Sequence, residues 1–386
     1  MSARARTYRR VVPAAATTIA VTAALAACGA SGEGAPVDTE TDKPFVISGV
    51  ENVTQVAQLT GPDSTLNDTD AVAVAGTDLG SMINVGDRTY FLFGDTFGVR
   101  EPGMTGGGGG NWRSNAMAYT TDDDPTDGIT FDGWITDDIG LALELVPGLK
   151  EPDDTGEVTK IPTYGFAIED TLYLSFMSVR HWGDPGVWTA NYSALARSTD
   201  EGQSWEVLDD VQWPGDSNFI QVATAQVVED GTEYVYQWGI PAGRFGGVQL
   251  MRVEATTDAV EDLGAYEYFT GTDDDGAPVW SEDLDEAETV LDGTIGELSV
   301  MYHEQTERWL LTTSTGGDAV LFEGATPWGP WSEPHTITTQ AETPGLYSPY
   351  LNPRYVSEDG STLYFTLSIW DPYNVFWYAM DLVTES

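Results

Sequence analysis

Two aspartates, Asp78 and Asp95, sit on either side of a Gly86-Asp87 turn. The run Ala-Val-Ala-Val-Ala-Gly-Thr-Asp78-Leu-Gly leads into the turn, and Thr-Tyr-Phe-Leu-Phe-Gly-Asp95-Thr-Phe-Gly leads away from it. A Gly-Asp pair between two apolar runs predicts a two-residue hairpin loop. In an unbroken hairpin the two aspartates are direct cross-strand partners, with Cβ atoms roughly 4.5–5.5 Å apart. Like charges so placed cost stability unless a site uses them. Two carboxyl groups at close range are what hydrolysis of a glycosidic bond requires, one to protonate the leaving oxygen and one to act as nucleophile or base. Mutual repulsion and partial drying raise carboxyl pKa values toward neutrality, which suits a general acid. The unbroken register predicts the ~5–5.5 Å spacing of retaining enzymes, whereas a bulge at Gly80 removes that argument.

Glu297, in Gly296-Glu-Leu-Ser-Val-Met-Tyr302, is the third candidate for catalysis. It opens an apolar strand, where a charge belongs only at a strand end in water or facing a funnel. For binding, the candidates are the aromatic and polar residues near predicted strand ends: Trp182, Trp188, Trp238, Tyr347, Trp370 and Tyr373, with His181, Asn115, Asn218, Arg244 and Asn374 as hydrogen-bonding partners. Sugar C–H faces stack on such rings, although any single Trp serves core packing equally well. The acid runs Asp122-Asp-Asp124 and Asp273-Asp-Asp275 lack the alternating ligands and distal Glu of a calcium loop and read as solvated turns. Gly106–Gly110 lacks the Lys-Ser/Thr of a phosphate loop and reads as a loop at a funnel mouth. No metal and no cofactor is expected.

The elements that must position these residues are strands. Short runs rich in Val, Thr, Tyr and Trp alternate with Asp-Gly and similar turns from residue 70 onward. One unit recurs: a first strand, an acidic or glycine turn, then an aromatic second strand. The second strands begin at Thr89, Thr171, Glu233, Arg308 and Thr362. Five such units predict an all-β fold, a five-bladed β-propeller, with a sandwich or β-helix as the other solutions. Ser198-Thr-Asp-Glu-Gly-Gln-Ser-Trp205 resembles the Asp-box turn of sialidase-like propellers and supports the same fold. First strands of a propeller ring the axis, so Asp78, Pro162–Gly165, Gln221, Glu297 and Tyr347 are expected to converge on one funnel.

Composition narrows the partners. With 62 Asp+Glu against 16 Lys+Arg, the formal charge is −46, a field that repels nucleic acid and anionic polymers. A neutral polysaccharide is the expected partner, bound by a monomer. The single cysteine, Cys28, follows four arginines and an Ala/Val/Thr-rich stretch ending Leu-Ala-Ala. This predicts a lipoprotein signal over residues 1–27, lipidation of Cys28, a tether over 28–64 and one propeller domain over 65–386. The protein is then expected outside the cytoplasm, held to the cell membrane only by lipid. A plain secretory signal is the other reading.

Several motifs together carry a family resemblance: Phe93-Gly-Asp95-Thr-Phe, Ile161-Pro-Thr-Tyr-Gly165, Phe176-Met-Ser-Val179, Gly239-Ile-Pro-Ala-Gly-Arg244, Gly296-Glu-Leu-Ser-Val300, Trp328-Gly-Pro-Trp331 and Trp370-Asp-Pro-Tyr-Asn-Val375. Over about residues 65–382 the chain resembles the actinobacterial domain of unknown function 4185, which is similar to glycoside hydrolase family 183, the endo-D-arabinanases. The resemblance implies a five-bladed propeller that cuts internal α-1,5-linked D-arabinofuranosyl bonds in the arabinan of arabinogalactan and lipoarabinomannan. It also implies that the acidic catalytic pair falls on Asp78 and Asp95. A non-catalytic glycan-binding propeller and an exo-glycosidase remain the alternatives.

Overall fold

The computed structural model describes residues 34–385. The expected signal segment and Cys28 lie outside the described residues. Everything described is built from strands, joined by turns and a few single-turn helices. The first sheet comprises Leu79–Val85, Arg88–Phe93, Ala116–Thr120 and Gly133–Trp134. The second comprises Thr159–Ile168, Thr171–Trp182, Trp188–Ser198 and Glu206–Pro214. The fourth runs from Leu298–His303 through Arg308–Thr315 and Asp318–Gly324 to His335–Thr338. The last sheet takes Leu346–Val356, Thr362–Ile369 and Asn374–Thr384, then recruits Ile47–Gln58 as its outer strand.

The arrangement is propeller-like, but five matching blades are not what forms. Four sheets have the regular four-stranded form. In the third position stands a seven-stranded sheet built on Gln221–Glu229, Thr232–Ile240 and Val248–Glu254. It is enlarged by Glu267–Thr272, Pro278–Ser281 and Thr289–Leu291, and by Ala35–Pro36, which pairs in parallel with Gln221–Glu229. The long 255–297 insertion supplies three of these extra strands, which single-strand spacing in the sequence did not reveal.

Each anticipated aromatic strand is the second strand of its sheet. These strands are buried on both faces because neighbouring sheets pack against them, so they read as continuous apolar runs rather than alternating ones. Thr171–Trp182, for example, is buried from Leu172 to Val179. Large rings fill the wedges between sheets: Trp238 meets Trp309 at 5.5 Å between the third and fourth, and Phe91 meets Trp377 at 6.4 Å between the first and last. The first strands neighbour one another in a closed cycle around the axis. Tyr164 and Tyr350 cross it in a T-shaped contact at 6.0 Å, which floors the space above.

Residues 47–58 correct the tether expectation. Ile47–Gln58 pairs antiparallel with Asn374–Thr384, so this early strand closes the last sheet. Its entry is fixed by a buried charge. The Glu323 carboxylate accepts the backbone N–H groups of Val46 (2.9 Å) and Ile47 (2.8 Å) and lies 3.0 Å from the Arg308 guanidinium. The Asp-box turn has the expected form: Asp200 Oδ1 accepts the Ser204 N–H at 2.9 Å, and Trp205 folds back to the Gly202 carbonyl.

Candidate active site

The first hairpin keeps the expected register from Val85–Arg88 as far as Ser81–Leu92, then slips by one residue to Leu79–Phe93. Gly80 is the extra residue, and both Leu79 (φ +68°) and Gly80 (φ +90°) take left-handed backbone. Glycine adopts that conformation freely, which is why the bulge forms here. The slip corrects the direct Asp78–Asp95 pairing. Asp78 stands opposite Gly94, whose N–H donates to the Asp78 carbonyl at 3.1 Å. Asp95 falls in the gap between Arg88–Phe93 and the small ribbon Thr96–Val99. Pairing resumes beyond it, with the Thr77 and Thr96 hydroxyls 2.7 Å apart. A Cβ on Gly94 would come within 2.4 Å of Asp78 Oδ1, so glycine is what leaves room for the carboxyl group.

Both aspartates line a cavity of about 900 Å³ at one end of the axis, large enough for an oligomeric ligand. Asp78 Oδ2 accepts the Tyr347 hydroxyl at 2.9 Å, while Oδ1 is shut off from solvent with no partner. Burial is the main force on this group and the nearby Asp95 charge the second; together they push its pKa up to about 8, against the hydrogen bond from Tyr347. Asp95 Oδ1 accepts the Trp112 indole N–H at 2.7 Å and the Thr159 hydroxyl at 2.6 Å. Burial lifts it to about 6, and these two donors with the Lys150 charge hold it from rising further. Asp95 therefore ionises first, and its charge then opposes ionisation of Asp78. Near neutral pH the aspartate pair holds one carboxylic acid and one carboxylate.

Glu297 also reaches the cavity, but both its oxygens are committed to Arg244. Nε donates to Oε2 at 3.2 Å and Nη2 to Oε1 at 3.0 Å. Arg244 is wedged between the Trp188 and Tyr347 rings, 5.8 and 5.9 Å from their centroids. A carboxylate clamped in this bidentate way suits positioning better than proton transfer.

Of the remaining candidates, Trp182, Trp188, Arg244, Tyr347, Trp370 and Tyr373 line the cavity, as do Pro162, Thr163 and Gln221 from the expected funnel set. Trp182 and Trp370 leave 39% and 51% of their surface exposed, so flat rings stand free at the rim. Gly107–Gly109 form part of the wall beside Trp370 and Tyr373. Five candidates lie elsewhere. Asn115 is buried, donating to the Val146 and Lys160 carbonyls and accepting the Val146 N–H. Asn218 donates to the Gly247 carbonyl, and Asn374 accepts the Thr60 hydroxyl. Trp238 is a core ring whose N–H reaches the Pro327 carbonyl. Buried amides and indoles must satisfy their polar atoms, and here backbone groups and the Thr60 hydroxyl do so. His181 stays outside the wall, with Nδ1 2.8 Å from Asp153 Oδ2. The acid runs at 122–124 and 273–275 spend oxygens on turn amides.

Trp112 and Thr159 were not legible as site residues. Trp112 follows the glycine run and Thr159 opens the second sheet; nothing in their local pattern ties them to Asp95.

Comparison with solved structures places the fold. A candidate hydrolase from Bacteroides ovatus aligns at a TM-score of 0.53 and 13% identity, covering 89% of this chain and 97% of that one. An exo-β-1,3-galactanase from Phanerochaete chrysosporium aligns at 0.50 and 10% identity, over 85% of this chain and 64% of the other. By sequence, notoamide biosynthesis cluster protein J of Aspergillus sp. (strain MF297-2) is 29% identical over 312 residues, 77% of this chain and 80% of that protein. The counterpart J′ of Aspergillus versicolor is 29% identical over 314 residues, 77% of this chain and 81% of its own. Residues 63–379 match the family described as Domain of unknown function (DUF4185), and the chain belongs to that family.

Proposed function

We propose that this protein is an endo-acting glycoside hydrolase that cleaves internal α-1,5-D-arabinofuranosyl linkages of cell-wall D-arabinan. The observation that carries the reading is the split of Asp78 and Asp95, in one cavity, into an acid pushed up to about 8 and a carboxylate at about 6. Two like groups whose surroundings drive them apart form an acid–base pair. In this reading Asp78 protonates the departing sugar oxygen. Asp95, with one oxygen held by Trp112 and Thr159, keeps the other for the sugar or its attacking water. Because the Gly80 bulge removes the direct cross-strand spacing, retention no longer follows from the register.

The exposed Trp182 and Trp370 rings support binding along a chain of sugars rather than at a single terminal residue. The galactanase of similar fold offers a further glycan-acting parallel. The seven-stranded sheet counts as the fifth blade in this reading, giving a five-bladed propeller that works as a monomer. Acylation of Cys28 would hold it at the outer face of the cell membrane, where a neutral polysaccharide is within reach.

Incubation of the purified protein with D-arabinan tests the proposal. Short oligosaccharides are expected. Single sugars would point to an exo-glycosidase, and retention of the glycan without cleavage to a binding propeller; no release at any pH overturns the reading.

A further inference from the structure

Behind the wall that carries Asp95 lies a row of groups that the hydrolytic reading leaves unused. The Trp112 indole donates its N–H to Asp95 Oδ1 at 2.7 Å. The Lys150 ammonium lies over the face of that same indole, 4.6 Å from the ring centroid. Glu144 and the Ser114 hydroxyl hold the ammonium in place, and Glu144 also accepts the Ser114 N–H at 2.8 Å. The Lys150 side chain is three-quarters covered, with 25% of its surface exposed. Only three lysines occur among 386 residues, and Lys160 pairs with Glu157 instead. A half-dry lysine seated on the ring that serves a cavity carboxylate is therefore not a general surface cation.

We propose that Lys150 is a positioning residue for Asp95 and acts through the Trp112 indole. The cation draws electron density from the ring face, which strengthens the indole N–H as a donor and stabilises the carboxylate it holds. The charge also acts on Asp95 directly. The charged and titratable groups facing Asp95 are Asp78 and Tyr373 across the cavity and Lys150 and Glu144 behind the wall. Of these, Lys150 is the one that favours its ionised form. The inference bears on catalysis only through the reading of Asp95 given above, so its test does not depend on activity.

The Trp112 indole N–H resonance, in the full chain labelled with 15N-tryptophan and assigned by its loss in Trp112→Phe, reports Asp95 titration. In the unaltered protein its midpoint is expected near 6. Lys150→Met, and Lys150→Gln as a second neutral variant, should raise that midpoint by roughly half to one pH unit. Lys150→Arg, which keeps the charge, should restore it. An unmoved midpoint in the neutral variants, or the same rise in Lys150→Arg, overturns the proposal. Undiminished arabinan cleavage by Asp95→Asn would instead overturn the catalytic reading and leave this coupling standing.

Discussion

Tyr347 donates its hydroxyl to Asp78 over 2.9 Å, joining the first strand of the last sheet to the start of the first sheet. The bond favours the ionised form of Asp78, so it acts against burial and the Asp95 charge. Tyr347→Phe removes it and should move Asp78 further up from about 8. The alkaline limb of the pH–rate profile is expected to shift upward. A limb that stays in place or moves down would separate Tyr347 from the titrating acid.

For the unaltered protein, a bell-shaped dependence of kcat/KM on pH is expected, with limbs near 6 and 8. Activity rises as Asp95 loses its proton and falls as Asp78 loses its own. The limbs belong to the coupled pair rather than to either residue alone. Initial rates of oligosaccharide release between pH 4 and 10 measure it.

Asp78→Asn and Asp95→Asn should each lower kcat by about 10²–10⁴-fold. Asp78→Asn carries a second signature in stability. Below about pH 4 the aspartate is protonated in both folded and unfolded chains and costs nothing extra. Between that point and about 8 the unfolded chain ionises while the folded one stays neutral, so folding loses free energy as pH rises. The stability advantage of Asp78→Asn over the unaltered protein should therefore grow from pH 4 to 8 and then level off. Thermal unfolding midpoints across that range supply the comparison.

The two tryptophan environments predict opposite behaviour. Trp370→Ala removes an exposed rim ring and should raise KM about 3–10-fold with little change in Tm. Trp238→Ala empties a buried core position and should cost about 3–5 kcal/mol in stability. Steady-state kinetics for the first and urea unfolding for the second distinguish a binding surface from a core.

Glu323→Ala strips the partner from the buried Arg308 and releases the Val46 and Ile47 amides. A destabilisation of about 3–5 kcal/mol is expected. Hydrogen exchange should show the Ile47–Gln58 strand losing protection before the rest of its sheet. Uniform loss across all sheets would mean that this carboxylate does not serve the strand entry.

The sequence by itself determined the all-β architecture and located the second strand of each of the five large sheets, because strands buried on both faces must be written as unbroken apolar and aromatic runs. It also placed Asp78 and Asp95 near one turn and Gln221, Glu297 and Tyr347 on strands that meet, since periodic units constrain where first strands go. Tertiary structure decided what local pattern does not encode. The Gly80 bulge moved Asp78 opposite Gly94, an outcome set by left-handed backbone and by packing against the last sheet. Ile47–Gln58 found its place only because Asn374–Thr384 offered an open edge more than 300 residues away. The distinction between Trp370 at the rim and Trp238 in the core, and between Asp78 as acid and Asp95 as carboxylate, rests on burial and on partners from distant strands. Chemically identical side chains acquire different roles only when such surroundings are assembled.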